Sequence, residues 1–401
     1  MISDCALHQL RVLFTVQPGL GHLHALVPLA AELRARGHGV TFASSAPFAP
    51  RVESLGFPFI SYGPAWLETP TDPHFLERTS FPAFLRSADA AIVDELAARI
   101  AHSPPELIVR EYTEFAGWPL ARRLGIPLVT HGIMHRLPTP RMAMICGSDF
   151  SEVASRNGLK ADNPILDSLG SAYLDICPPL FQPPIDVLAI TRPLRLEVHD
   201  HIGLATPSWL DDLGVNRPLV YASLGTVFNA TPGVLEAIIA AVADQPYDVL
   251  LTTGSDRDPA TLGPLPTNVR AERYVPQSMV LPRCRAAITH GGFNTCLAAF
   301  THGVPLYVLP IDADQPVNAA ACTAAGAGIN AAAHLPSLDP RGPMVNPADL
   351  DVGAMRDGVA RLLADPGFRE SATRIGQEIA AMPTPRVVAH DLEGLVADAI
   401  A

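Results

Sequence analysis

A histidine followed by two glycines joins a short apolar run to a helical pattern in the segment THGGFNT, residues 289 to 295. Gly291 and Gly292 allow the backbone to approach a ligand closely, and the N–H groups that open the following helix favour an anion. The pattern therefore predicts a phosphate site that includes His290. Gly-Gly turns before helices are common, so a plain strand-to-helix turn is the alternative.

A second histidine, His22, follows the first apolar run and the turn-rich segment QPGLGH. Imidazole has an ordinary pKa of about 6.5, which suits removal of a hydroxyl proton close to neutral pH. His22 is therefore a candidate general base, and His24 is the second choice. The alternative is that a histidine at the start of a helix only caps it or lies on the surface.

The glycines at 19 and 21 could be mistaken for a dinucleotide-binding loop. His24 occupies the position of the third glycine, and the following run VTFASS carries no acidic residue to bind a ribose. An NAD-dependent dehydrogenase is therefore disfavoured.

Short apolar runs alternate with helical patterns along two stretches, which predicts parallel sheets covered on both faces. The runs begin at Arg11, Val40, Phe57, Leu107 and Leu128, and then at Leu219, Asp248, Val269, Ala286 and Leu306. We expect an α/β chain with a first Rossmann-like domain over 1–200, a linker over 201–217, a second such domain over 218–382, and a C-terminal helix over 383–401 that packs back on the first domain. Ligands should bind at the carboxyl ends of the strands.

The composition excludes several classes of partner. The 401 residues include 28 Lys and Arg against 40 Asp and Glu, a net charge of -12, which disfavours nucleic acid and anionic membranes. No apolar run approaches the roughly 20 residues that span a bilayer, and the six cysteines are scattered. We expect a cytoplasmic protein without a disulfide framework or a structural metal.

The segment from Arg273 to Gly328 resembles the nucleotide-sugar signature of family 1 glycosyltransferases, in particular of bacterial natural-product enzymes of the macrolide, polyketide and enediyne type. It contains RYVPQ, ITHGGFNTCLAAFTHGVPLYVLP and DADQPVNA. The resemblance covers nearly the whole chain and implies a GT-B fold, with two Rossmann-like domains facing a central cleft. It further implies metal-independent, inverting transfer of a sugar from a nucleoside diphosphate to a small hydrophobic acceptor, with no other cofactor.

The same resemblance assigns residues to the donor. It places Tyr274, Val275 and Gln277 at the nucleobase, and Asp314 and Gln315 at the sugar hydroxyls. It makes His290 a donor to the diphosphate, surrounded by Gly291, Gly292, Asn294 and Thr295. Further contacts beside the nucleotide fall on Ser223, Gly225 and Thr226. On the acceptor side it places His22 as the base, although the proline that usually follows is displaced to Pro28.

One departure from the family concerns the nucleotide. Members that use UDP-sugars commonly have a Glu eight residues after the signature histidine, where it binds the ribose hydroxyls, and this chain has Ala298 there. A buried ribose 2'-hydroxyl would lose its partner, which favours a dTDP-deoxysugar over UDP-glucose. The alternative is that water or a neighbouring group replaces the Glu.

A carboxylate often orients such a base. Plant relatives of the family carry an Asp where this chain has Ala116. Glu114 is the preferred substitute and Glu111 the second, although either could be a carboxylate at a helix N-terminus. If neither serves, His22 acts alone.

The triplet Asp312-Ala313-Asp314 could be read as a metal site, but it closes the family signature, where a helix N-terminus and His290 can neutralise the diphosphate, so no metal is expected. Candidates that line the acceptor pocket, each with a structural alternative, are His131, His135, Trp66, Phe81 and Phe84. A nucleotide-sugar epimerase and a non-catalytic homologue remain alternatives. The acceptor, the sugar, the linkage through oxygen, carbon or nitrogen, a biosynthetic or detoxifying role, and a homodimer all stay open.

Overall fold

The computed structural model describes residues 9–64, 80–197, 206–225, 227–254, 257–337, 339 and 341–400. The chain divides into two compact units. Unit 1 comprises Met1–Ile176, Ile185–Glu197 and Pro383–Ala401, and unit 2 comprises Cys177–Pro184 and Val198–Met382.

Unit 1 contains a sheet of seven parallel strands in the order β3-β2-β1-β4-β5-β6-β7. The strands are β1 Arg11–Thr15, β2 Gly39–Ser44, β3 Phe59–Ser61, β4 Leu107–Glu111, β5 Leu128–His131, β6 Ala172–Asp175 and β7 Thr191–Pro193. The helices are α1 Leu20–Ala35, α2 Ala49–Glu53, α3 Phe81–Phe84, α4 Ala90–Ile100, α5 Gly117–Leu124, α6 Thr139–Arg156, α7 Pro164–Ser168 and, at the end of the chain, α14 Pro385–Ile400.

Unit 2 contains six parallel strands in the order β10-β9-β8-β11-β12-β13. The strands are β8 Leu219–Ser223, β9 Asp248–Thr252, β10 Val269–Glu272, β11 Cys284–Thr289, β12 Leu306–Val308 and β13 Gly328–Asn330. The helices are α8 Val234–Val242, α9 Gln277–Val280, α10 Phe293–Thr301, α11 Gln315–Ala324, α12 Val352–Ala364 and α13 Pro366–Ala381. Short 3-10 turns connect several of these elements.

The central strands of both sheets are buried on both faces, as parallel sheets with crossover helices require. Strands β4 and β8 are buried along their whole length. In each unit the first strand lies between the second and the fourth, so the chain turns to opposite sides at that point and leaves a crevice at the carboxyl ends. This topology predicts ligand sites between β1 and β4 in unit 1, and between β8 and β11 in unit 2.

Helix α14 packs on unit 1 through the buried side chains of Val388, Leu392 and Val396. The carboxylate of Glu393 accepts hydrogen bonds from Nε and Nη2 of Arg36, at 2.7 and 2.6 Å, and from Nε2 of His38 at 2.8 Å. The hydrogen bond from Arg36 contributes most, and together these bonds lower the pKa of Glu393 to about 2, although burial opposes the shift.

Among the residues described, no helix combines the length and the apolar character needed to cross a membrane. The five cysteines in this part of the chain are buried and form no disulfide.

Candidate active site

The loop after β1 brings His22 to the carboxyl edge of the unit 1 sheet. Helix α1 begins at Leu20, so His22 lies in its first turn. The imidazole packs directly over Gly19, where a Cβ atom would lie 2.9 Å from the ring carbon Cδ2. Gly19 therefore allows the ring to take this position.

Glu111 ends strand β4, which neighbours β1, and its carboxylate faces His22 across the switch point. The distance from Nδ1 of His22 to Oε2 of Glu111 is 3.0 Å. Thr113 also donates to the carboxylate of Glu111, from its backbone nitrogen at 2.6 Å and from its hydroxyl at 2.8 and 2.9 Å. The backbone N–H of Gln17 also donates to Oε2 of Glu111, at 3.4 Å.

The electrostatic environment keeps Glu111 ionised. Burial would raise the pKa of this carboxyl group, but the charge of His22 and the hydrogen bonds from His22 and Thr113 outweigh burial and lower the pKa below its ordinary value. A buried carboxylate in this position orients an imidazole and stabilises its protonated form.

The preference for Glu114 as the partner of His22 is wrong. Oε1 of Glu114 accepts from the hydroxyl of Tyr62 at 2.9 Å and from the backbone N–H of Ala116 at 2.6 Å. Its other oxygen accepts from the hydroxyl of Thr15 and from the N–H of Gly117. Glu114 therefore caps helix α5 and ties it to β1, and burial raises its pKa despite these bonds.

Among the other acceptor-side candidates that the structure describes, His24 is exposed and Phe84 is buried. His24 is exposed on α1, about 200° around the helix from His22. Phe84 is buried, with its ring 6.3 Å from that of Phe81, which in turn contacts Tyr112. Trp66 lies outside the described residues.

His131 and His135 are buried in unit 1, and burial lowers their pKa values to about 4 and about 3. His131 pairs with Glu111 in the register of β4 and β5. Nδ1 of His131 lies 2.7 Å from the carbonyl oxygen of Gly132, which assigns the proton of the neutral ring to Nδ1. Neither side chain is positioned as a proton acceptor at the surface.

In unit 2, the side chain of His290 lies between two glycines. A Cβ atom on Gly225 would lie 2.6 Å from Cε1 of His290, and one on Gly292 would lie 2.6 Å from Nε2. Gly225 also has a φ of +72°, a conformation that favours glycine. Burial lowers the pKa of His290 to about 4, so the imidazole is neutral at pH 7.

The turn after His290 leads directly into helix α10, whose N-cap is Gly292. Gly291 has a φ of +90°, and a Cβ there would lie 2.5 Å from Cγ1 of Val308. Two glycines are thus required before a nine-residue helix whose N-terminus lies at the switch point between β8 and β11. This arrangement suits a phosphate group.

Other predicted donor residues lie on the elements of unit 2 that neighbour this turn, where the structure describes them. Ser223 ends β8, Val275 is buried, and Tyr274 exposes 53% of its surface. Nε2 of Gln277 donates to the hydroxyl of Thr295 at 3.3 Å, which joins α9 to the first turn of α10, next to Asn294. Thr226 lies outside the described residues.

The sugar-side candidates begin helix α11. Asp314 accepts from Nδ2 of Asn318 at 2.8 Å, and the same nitrogen donates to the carbonyl of Gly291 at 2.7 Å. Gln315 is buried, and its oxygen accepts from the backbone N–H groups of Ile311 and Asp312. Gln315 therefore shapes the loop with its oxygen, and only its amide nitrogen can serve a ligand.

One carboxylate oxygen of Asp312 is engaged within unit 2. Its Oδ1 accepts from the guanidinium of Arg341 at 2.7 Å and from the N–H of Ala313 at 2.6 Å. No cluster of three or more potential ligand side chains occurs among the described residues.

Sequence reasoning missed the residues that hold the predicted ones in place. Thr113 and Gln17 fix Glu111, Asn318 links Asp314 to the glycine turn, and Arg341 neutralises Asp312. Of these residues, only Asn318 could have been predicted from the sequence, because it stands one helical turn after Asp314 and can contact it.

Comparisons with known proteins agree with this fold. Residues 236–395 match the model of the erythromycin biosynthesis protein CIII-like C-terminal domain. The L-demethylnoviosyl transferase of Streptomyces niveus is 30% identical over 97% of this chain and 98% of its own length.

Two solved structures are similar over almost their whole length. The glycosyltransferase SnogD from Streptomyces nogalater is 29% identical with a TM-score of 0.75, and covers 97% of this chain and 99% of its own. The glycosyltransferase VinC, solved in complex with dTDP, is 25% identical with a TM-score of 0.73 and the same coverage.

The fold is therefore that of the GT-B glycosyltransferases, which confirms the expected class of two Rossmann-like α/β units. The chain belongs to the bacterial natural-product glycosyltransferases of family 1. It is a glycosyltransferase.

Proposed function

We propose that this glycosyltransferase moves a sugar from a nucleoside diphosphate, with a dTDP-deoxysugar favoured, to a hydroxyl group of a small hydrophobic natural product. The observation that carries the proposal is the contact of 3.0 Å between Nδ1 of His22 and the buried carboxylate of Glu111. If Nδ1 donates to Glu111, the neutral ring has its lone pair on Nε2, which can accept the proton of an acceptor hydroxyl.

The transfer is a single displacement. The acceptor oxygen attacks the anomeric carbon as its proton passes to Nε2 of His22, and the bond from that carbon to the diphosphate breaks. One displacement inverts the anomeric configuration, because retention by the double-displacement route would need a carboxylate nucleophile at this carbon.

Unit 2 supplies the donor site in this proposal. The glycine turn at Gly291 and the N–H groups that open α10 receive the diphosphate, with His290 as a neutral hydrogen-bonding partner. We propose that no divalent cation is needed, since Asp312 is already paired with Arg341. Glu111 takes the place of Glu114 as the residue that orients His22.

The preference for dTDP rests on Ala298, which is buried in α10 and offers only a methyl group to a nearby ribose. The relative VinC, solved with dTDP, is consistent with this choice. A UDP-glucose-dependent transferase acting on similar acceptors is the second candidate, and it differs only in the nucleotide and the sugar.

The test is calorimetric titration of the metal-free protein, kept in a chelator, with dTDP and with UDP. Tighter binding of dTDP is expected, and incubation with dTDP-sugars and phenolic acceptors should then give a glycoside. Tighter binding of UDP would replace the first candidate by the second. Absence of binding for both nucleotides would contradict the donor site, and conversion of the donor without any acceptor into a new nucleotide sugar would indicate an epimerase.

A further inference from the structure

A small recess opens at the carboxyl ends of β1, β2 and β3 in unit 1. Its polar lining consists of five side chains, Gln17, Ser44, Ser45, Tyr62 and Ser87, and the rest is apolar or backbone. None of the described residues that line it is charged. An uncharged lining favours a neutral ligand group, because a charge buried here would have no counter-ion.

Three of the five polar side chains are already committed within unit 1. Nε2 of Gln17 donates to the carbonyl of Thr113 at 3.0 Å, and the hydroxyl of Tyr62 donates to Glu114 at 2.9 Å. The hydroxyl of Ser87 donates to the carbonyl of Phe84 at 2.8 Å and accepts from the N–H of Phe115 at 2.9 Å.

Ser44 and Ser45 differ from these three. They are 1% and 4% exposed, and their hydroxyl oxygens have no hydrogen-bond partner among the described residues. Ser45 also precedes a short 3-10 turn without capping it. Buried hydroxyls without partners lower stability, so two of them side by side in one recess require a reason.

The position of the recess supplies that reason. Gln17 lines it and also places its backbone N–H 3.4 Å from Oε2 of Glu111, the carboxylate that holds His22. An acceptor that presents its hydroxyl to His22 therefore has this recess beside it, along the edge formed by β1 and β2.

We propose that Ser44 and Ser45 bind a neutral oxygen of the acceptor, a carbonyl or a second hydroxyl group, while the reacting hydroxyl faces His22. Two serine hydroxyls can both donate to one carbonyl oxygen, which has two lone pairs. The inference rests on the proposed function and specifies its substrate class: acceptors with a hydrogen-bonding oxygen apart from the nucleophile.

The experiment measures binding, in the presence of dTDP, of two phenols that differ at one ring carbon: 7-hydroxyflavanone, which has a carbonyl there, and 7-hydroxyflavan, which has a methylene group. The wild type should bind the flavanone roughly 3- to 10-fold more tightly. The variant Ser44→Ala/Ser45→Ala should bind both equally. Ser54→Ala, at an exposed serine whose hydroxyl bonds the carbonyl of Arg51, is the control and should keep the preference.

A second measurement separates binding from structure. Because the double variant removes two buried hydroxyls that have no partner among the described residues, its melting temperature should equal or exceed that of the wild type. No preference in the wild type, or a preference kept by the double variant, would overturn the assignment even when dTDP binds. Failure to bind any nucleotide would instead contradict the proposed function.

Discussion

Nδ1 of His22 and Oε2 of Glu111 are 3.0 Å apart, with the carboxylate side chain fully buried and the imidazole 26% exposed. The buried partner sets the tautomer, and the exposed partner can meet a substrate. This division of roles leads to different expectations for the two residues.

Replacement of Glu111 by Gln should lower kcat by about 10- to 1,000-fold, because an amide oxygen cannot stabilise a protonated His22 as a carboxylate does. Steady-state kinetics should show an unchanged KM for the donor. The matched variant Glu114→Gln should instead lower the melting temperature, since Glu114 caps α5. If Glu114→Gln lost turnover at full stability while Glu111→Gln kept it, the assignment would be reversed.

The variant His22→Ala should lower turnover by a factor of roughly 100 or more, because the acceptor then loses its general base. Calorimetric titration should show that binding of dTDP is retained, because the donor site lies in unit 2. His24→Ala, at an exposed position of the same helix, is the control and should keep activity. An active His22→Ala enzyme would remove His22 from the mechanism.

Gly292→Ala should weaken dTDP binding by at least about tenfold, because the added methyl group would lie 2.6 Å from Nε2 of His290 and displace the ring or the start of α10. Gly394→Ala in α14, where a Cβ meets no atom within 4 Å, is the control and should leave affinity unchanged. Equal affinity of both variants would show that the enclosure of His290 is not needed for the nucleotide.

Ala298→Glu should shift nucleotide preference toward UDP, since a carboxylate could accept from the ribose 2'-hydroxyl. Position 298 is 5% exposed, so the unliganded variant should also melt at a lower temperature, and UDP should restore more of that loss than dTDP. Thermal shift with each nucleotide measures both effects. If the ratio of the affinities for UDP and dTDP stayed the same, the inference that Ala298 disfavours a ribose would be contradicted.

The Glu393 cluster makes stability depend on pH. The folded-state pKa of about 2 lies below the ordinary value of 4.5, so the stabilisation is complete above the ordinary pKa and is lost as the pH falls towards 2. Glu393→Gln should therefore lower the free energy of unfolding by about 1.5 to 3 kcal/mol at pH 7 and much less at pH 3. Urea denaturation at both pH values measures this, with the exposed Asp398→Asn on the same helix as the control.

The alternation of strands and helices in two series follows closely from the sequence. Long apolar runs such as Leu107–Glu111 and Asp248–Thr252 are buried on both faces and therefore carry a strong signal. The strands Ala172–Asp175, Thr191–Pro193 and Gly328–Asn330 were not predicted. Each has only three or four residues near an edge of its sheet, where position depends on neighbours rather than on local pattern.

At the site, too, some features follow from the local sequence pattern and others depend on neighbouring elements. His22 and His290 could be proposed from the sequence because they follow strands that the sequence shows. The choice between Glu111 and Glu114 could not be made from spacing, because it depends on whether the side chain points towards α1 or back under α5. The homodimer, the cytoplasmic location and the exclusion of nucleic acid stay predictions.

Unit 1 is built from parts of the chain that are synthesised before and after unit 2. Its sheet is encoded almost entirely in the first half of the chain, but Arg36 and His38 meet Glu393 only after all of unit 2 has been translated. Domains usually fold in order as they emerge from the ribosome. Here the first unit emerges without helix α14 and acquires this helix only after unit 2 has been synthesised.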